Sequence, residues 1–319
     1  MRFGYDDDEA AFGEAVRELL AKECTAGVVR AAWDAGPGQL DRSLWEKLAA
    51  MGALGVAAPE SVGGLGFDEV ALVAILEEAG RACVPYPLVE TAAVAAPLGV
   101  TDGRLVTASL GASLAPCALD ADAIIVDHDG ALLLCTPKQV QLEAVVAVDR
   151  TRRLARVSGV ADDATVLAEG VPALEAAFDR AALATAAQLV GLGQAMLDMT
   201  VAYVKERQQF GVPIGSFQAV KHHLADAHKD LSFARPAVQR AAWSVANEAP
   251  TRSRDVSMAK AMASDAAAFV ARNALQCHGA IGYTLEHDLH LYLKRTWALC
   301  RSYGDAPYHR DRVATVLGV

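Results

Sequence analysis

Two stretches decide how this chain is read: Tyr203-Val204-Lys205-Glu206-Arg207-Gln208-Gln209-Phe210-Gly211, and Gln276-Cys277-His278-Gly279-Ala280-Ile281-Gly282-Tyr283. The first closes a run of helical periodicity over 176–210, with Gly211 and Pro213 as stop signals. An Arg near a helix end, beside an aromatic ring and a glycine turn, can hold a phosphate through two parallel N–H bonds while the ring packs on a purine. Alone the pattern is weak, because the helix macrodipole also favours a solvated Arg at a C-terminus. The second stretch places two glycines three residues apart after another helix, which lets backbone approach a ligand closely. By itself it usually marks a helix–helix turn. It opens no helix after a strand, so it is not a doubly wound dinucleotide fingerprint.

Working outward, residues 170–319 continue in long helical stretches: Ser216–Asn247, Asp255–His278 and His287–Ser302. Short connections between them imply an antiparallel bundle. Residues 1–97 read as helices joined by Gly/Pro turns. Glu9–Glu23 sets Phe12, Val16, Leu19 and Leu20 at helical spacing, and Ser43 is placed to cap a helix over Leu44–Met51. Pro59–Gly66 is a loop by composition, and Asp68–Ala79 is a further helix stopped by Gly80. Residues 102–165 differ. Ala123–Val126 and Ala131–Leu134 flank Asp129-Gly130, a hairpin signal. Val145–Val148 and Leu154–Val160 read as a second pair around Arg150–Arg153. The expected unit is small and mainly antiparallel β. It contains no Trp, Tyr or Phe, an odd composition for something that holds a large flat cofactor.

The chain has 319 residues, 53% of them apolar, and a formal charge of -10 with both signs interspersed. There is no basic stripe, so nucleic acid is excluded as a partner. The six cysteines form no CxxC and read as small buried hydrophobes in a reducing compartment. The acidic start lacks the apolar region of a signal peptide, and Pro-interrupted runs such as Ala92–Val100 are too short to span a bilayer, so no membrane contact and a cytoplasmic location are expected. His222, His223 and His228, and His287 and His290, lack the i, i+4 spacing of a zinc helix, so no metal is expected. The four tryptophans read as helix packing.

Taken together, RQQFG, FQAVKHHLAD, QCHGAIGY and EHDLHLYLKR resemble the C-terminal domain of acyl-CoA dehydrogenases. Leu44-Trp45, MGALGVAAPESVGGLG and Leu76–Arg81 resemble that family's N-terminal domain. The resemblance implies a mainly α fold: an N-terminal helical domain (1–101), a reduced β middle domain (102–168) and a C-terminal four-helix bundle (169–319). It implies FAD lying partly between subunits. Arg207, Gln209 and Phe210 match positions touching the ADP half of a neighbour's FAD, and Gln276, Gly279 and Gly282 match a second part of that site. The family reaction removes an α-proton from an acyl-CoA thioester by a carboxylate while hydride leaves the β-carbon for the flavin.

Both base positions are vacant here. Tyr303-Gly304-Asp305 stands where the family commonly reads Tyr-Glu-Gly, and aligning Phe178-Asp179-Arg180 puts Ala181 at the other position. The family's Thr-Glu-Pro, Gly-Ser-Asp and Trp-Ile-Thr segments, which grip the flavin, are missing from 102–165. The pattern resembles the short, base-less subunit of actinobacterial heterotetrameric dehydrogenases in steroid catabolism. In these a full-length acyl-CoA dehydrogenase-like partner completes an α2β2 assembly and binds most of the acyl-CoA. Two alternatives stay open: a self-sufficient homotetramer using Asp305 as a displaced base, and a flavin-free structural subunit.

Overall fold

The computed structural model describes residues 4–111 and 114–318. Four helices lead the chain: α1 (Asp7–Glu23), α2 (Ala26–Asp34), α3 (Ser43–Ala50) and α4 (Glu69–Arg81). A capping box starts α1, with Asp6 and Glu9 each accepting the other's backbone N–H at 2.8 Å. Ser43 does not cap α3 as expected. It is the first helical residue, and its N–H is taken by the Asp41 carboxylate at 2.9 Å. Asp68 caps α4 by accepting from Val70 N–H at 2.8 Å.

Gly80 does not stop α4, which runs on to Arg81. The glycine is there for packing. A methyl group on Gly80 would lie 2.2 Å from the Gln188 carbonyl oxygen, and one on Gly191 would lie 1.8 Å from that of Glu77. The two helix backbones cross in contact, which only glycine permits. Beyond α4 a buried π-helical segment, Val89–Ala95, carries Glu90 into the interior. Neither this segment nor α2 was anticipated.

The middle unit holds strands β1 (Val106–Ser109), β2 (Ala123–His128), β3 (Ala131–Cys135), β4 (Gln141–Ala144), β5 (Ala155–Ser158) and β6 (Thr165–Glu169). One sheet has the order β1-β2-β3-β6, and β4-β5 form a separate pair. The Asp129-Gly130 hairpin joins β2 to β3 as expected, and β1 lies parallel to β2. The second hairpin is shifted. Val145–Val148 is not strand, Val146 is fully exposed, and the pairing runs from Gln141↔Ser158 to Ala144↔Ala155. Pairing ends there because Asp149 caps a 3-10 turn over Arg150–Arg152 and is drawn to Arg295, which pulls the chain into the helical body.

The bundle comprises α5 (Val171–Glu206), α6 (Gln218–Ala246), α7 (Arg252–His278), α8 (Leu289–Leu299) and, unanticipated, α9 (Ala306–Leu317). The first of these ends at Glu206 rather than Phe210. Arg207 leaves the helix with ψ 120, and a two-residue-per-strand hairpin of β7 (Gln208–Gln209) and β8 (Val212–Pro213) follows. Phe210 and Gly211 turn it, both at positive φ. The architecture is the one expected: helices, a small β unit, then a bundle. The cysteines are all free, five buried and Cys300 partly so. No described helix is long and apolar enough to cross a membrane.

Gly191→Ala is expected to lower unfolding free energy by about 2 kcal/mol or more, because the α4–α5 backbones must separate. A urea titration checks it; a midpoint equal to that of the parent chain would contradict this account of the contact.

Candidate functional site

Arg207, Gln209 and Phe210 lie at the surface where α5 gives way to the β7–β8 hairpin. The guanidinium of Arg207 has no ion-pair or hydrogen-bond partner among the described residues. Phe210 is 93% exposed, with Phe217 packed edge-on against it at 6.2 Å. Gln209 turns its amide only onto the Gln208 carbonyl. The second stretch sits at the end of α7. Gln276 and Gly279 are exposed, and a methyl group on Gly279 would meet nothing within 4 Å. Gly282 has another role. It is buried, and a methyl there would press on His278 and Leu275 at 3.1 Å, so it packs the turn onto α7. Stacking of Tyr203 on His278, centroids 4.4 Å apart, brings the two stretches to one face. An unpaired cation, an exposed ring, an amide and open glycine backbone fit the phosphates and base of a dinucleotide.

The vacant base positions are elsewhere, indoors. Ala181 is fully buried on α5. Gly304 stands at φ +88, where a methyl group would lie 2.4 Å from the Tyr308 ring and 2.8 Å from His309 Nε2. Asp305 caps α9, its carboxylate accepting from Tyr308 N–H at 3.0 Å. Two buried residues that sequence reasoning missed, Lys260 and Glu90, lie beside this turn. Lys260 Nζ donates to the Gly304 carbonyl at 3.0 Å and to Ser264 Oγ at 3.1 Å, and burial lowers its pKa to about 8. Glu90 accepts from the Tyr303 hydroxyl at 2.6 Å and lies 4.0 Å from Arg152. Burial raises the Glu90 pKa against the pull of Arg152 and Tyr303. A lone carboxylate within the apolar run 88–98 was the signal available for Glu90.

These side chains close the interior. The recess bounded by Glu90, Arg152, Gln188, Arg295 and Tyr303 has a volume of about 20 Å³, room for one water. Outside Tyr303 a cavity of about 390 Å³ opens between the β unit and α8. Its β side is Leu114, Ala147, Val148 and Leu154, and Arg152 is already committed to Ser302. Trp297, expected as packing, is nearly half exposed and lines it. Its β side is apolar, while Arg301 and the Trp297 indole line it from the α8 side. Among the described residues no group of His, Cys, Asp or Glu is arranged to hold a metal ion.

Family models for the acyl-CoA dehydrogenase N-terminal and C-terminal domains match residues 6–101 and 168–317. The chain belongs to the acyl-CoA dehydrogenase family. It is 35% identical over 295 residues to acyl-CoA dehydrogenase IpdE2 of Mycobacterium tuberculosis, covering 88% of each chain. A chain of the ChsE4-ChsE5 complex from Mycobacterium tuberculosis superposes with a TM-score of 0.87 at 25% identity, over 100% of this chain and 99% of that one. A chain of a Tcur3481-Tcur3483 steroid ACAD variant gives 0.86 at 25% identity, over 98% of both.

Burial pushes the His309 pKa down to about 4. The unfolded chain takes up this proton near pH 6.5 and the folded chain only near 4, so stability from this group is lost as pH falls between them. The loss totals on the order of 3 kcal/mol. Thermal melts of the parent and His309→Gln at pH 7.5 and 4.5 check this. The parent should lose more stability than the variant on acidification, and equal losses would refute it.

Proposed function

We propose that this chain is the base-less subunit of an FAD-dependent acyl-CoA dehydrogenase heterotetramer, α2β2. The assembly introduces an α,β double bond into a bulky, steroid-derived CoA thioester. One contrast carries the reading: Arg207 stands unpaired and Phe210 exposed at the surface, while the recess between Glu90 and Tyr303 is only about 20 Å³. The chain keeps what it would lend to a neighbour's cofactor, while its inner recess has room for about one water.

In this scheme Arg207 holds phosphate oxygens of the partner-bound FAD, Phe210 packs on its adenine half, and Gln209, Gln276 and Gly279 complete the contact. The cofactor supplies a hydride acceptor for the substrate β-carbon. A full-length partner supplies the carboxylate that takes the α-proton and most of the acyl-CoA pocket. The named complexes among its structural neighbours, ChsE4-ChsE5 and Tcur3481-Tcur3483, support a second, different subunit, and the latter's description as a steroid ACAD supports the substrate class.

The displaced-base alternative is disfavoured because the Asp305 carboxylate already caps α9. It would have to leave that bond to reach a substrate, and small misplacements of a base cost much rate. The flavin-free alternative leaves an exposed phenyl ring beside an unpaired guanidinium without a role.

Co-expression with a full-length family member should give a yellow complex whose flavin absorbance corresponds to two FAD per four chains. Four FAD, or a colourless homo-oligomer, would overturn the proposal. In that complex Arg207→Ala is expected to lower FAD occupancy after gel filtration without changing the elution volume. Asp305→Asn should leave turnover within about twofold, since geometry decides which carboxylate can act. A loss of orders of magnitude would revive the displaced base.

A further inference from the structure

Tyr203 lies one helical turn before Arg207 on α5, and His278 is the last residue of α7, immediately before Gly279. Their rings stack 4.4 Å apart with planes only 19° from parallel, and the Tyr203 hydroxyl donates to the His278 carbonyl at 3.4 Å. His287 meets the ring of His278 at 4.7 Å and that of Tyr203 edge-on at 6.2 Å. The loop carrying His287 is clamped from α2, where Arg30 donates to Asp288 at 2.8 Å and to the Leu285 carbonyl at 2.8 Å. A continuous line of contact therefore runs from the N-terminal helices through both nucleotide-facing stretches to α5.

His278 is an unusual choice for the middle of that line. It is 3% exposed. Its Nδ1–H donates to the Ala274 carbonyl at 2.8 Å, while Nε2 is buried with no hydrogen-bond partner among the described residues. A buried, unsatisfied nitrogen costs on the order of 1–3 kcal/mol. The flat ring must contribute something that offsets this. What it contributes is a ring stack between the ends of α5 and α7, one helical turn before Arg207 and directly before Gly279.

We infer that His278 is the positioning residue of the nucleotide-facing surface: a flat strut that sets Arg207–Phe210 against Gln276–Gly279 before any nucleotide arrives. Ordering loops at the moment of binding costs conformational entropy, and a contact already made in the free protein removes that cost from the binding step. The inference rests on the assignment of both stretches to an FAD shared with a neighbouring subunit. It adds that their relative placement, beyond their presence, sets the affinity.

The test uses the heteromer with its full-length partner, stripped of flavin and titrated with FAD by flavin fluorescence. His278→Ala and Tyr203→Ala are each expected to weaken FAD binding by about tenfold. The double variant should be little worse than either single one, because both remove one shared contact. His278→Phe keeps a flat ring without the orphan nitrogen and should bind FAD within about twofold of the parent. Should His278→Ala fail to assemble, Tyr203→Ala and His278→Phe carry the comparison. Arg207→Ala, run alongside, tests the underlying reading. Unchanged affinity in Arg207→Ala would sink the shared-FAD assignment itself. Weakened binding in Arg207→Ala with full affinity in His278→Ala, additive losses in the double variant, or no rescue by phenylalanine would overturn the strut alone.

Discussion

The guanidinium of Arg295 is the interaction on which the arrangement of the three regions turns. It sits on α8, is 5% exposed, and ties two distant parts of the chain to that helix. It binds the Asp149 carboxylate, donates to Thr151 Oγ1 at 2.5 Å, and donates to the Val84 carbonyl at 2.8 Å. Burial opposes its charge, but Asp149 more than offsets that and holds its pKa above the usual guanidinium range. An ion pair this deep is weak support for net stability, since both charges must shed water. Its value is in placement. The β unit has a small core of its own, and Arg295 fixes the 149–153 turn against α8 and the end of the N-terminal helices. That turn then delivers Arg152 to the interior and Arg153 to Asp120 at 2.8 Å.

From that anchor the closed interior follows. Arg152 arrives beside Glu90, which the π-helical segment has carried in, and Tyr303 bridges them from the end of α8. The close crossing of α4 and α5 at Gly80 and Gly191 brings Gln188 to the same wall. Glu90, Arg152, Arg295 and Tyr303 are hydrogen-bonded or ion-paired there, and the recess keeps room for about one water.

Much of the fold was legible in the sequence because it depended on local signals. The Asp129-Gly130 hairpin, the ends of α6 and α7 to within a few residues, and the loop at 59–66 are marked by turn residues and periodicity. What was not legible depended on partners distant in the chain. Gly80 looked like a helix stop but serves a crossing with α5. Val145–Val148 looked like a strand but is drawn away by Asp149 and Arg295. Glu90 and Lys260 carry charges that only the tertiary structure places at the Gly304 turn. At the end of α7 Gly282 shows the limit: its spacing suggested ligand contact, while its neighbours show packing.

The Gly304 turn is built around glycine. A carboxylate restored at 304 would start from φ +88, a conformation that L residues other than Gly rarely adopt, with the Tyr308 ring in the way. The space behind the turn is also taken. Lys260 satisfies the Gly304 carbonyl, and His309 donates from Nε2 to the Tyr303 carbonyl at 2.8 Å. Burial lowers the pKa of Lys260 to about 8 and of His309 to about 4. Several residues would have to change together before this turn could present a carboxylate, whereas Arg207 already faces outward.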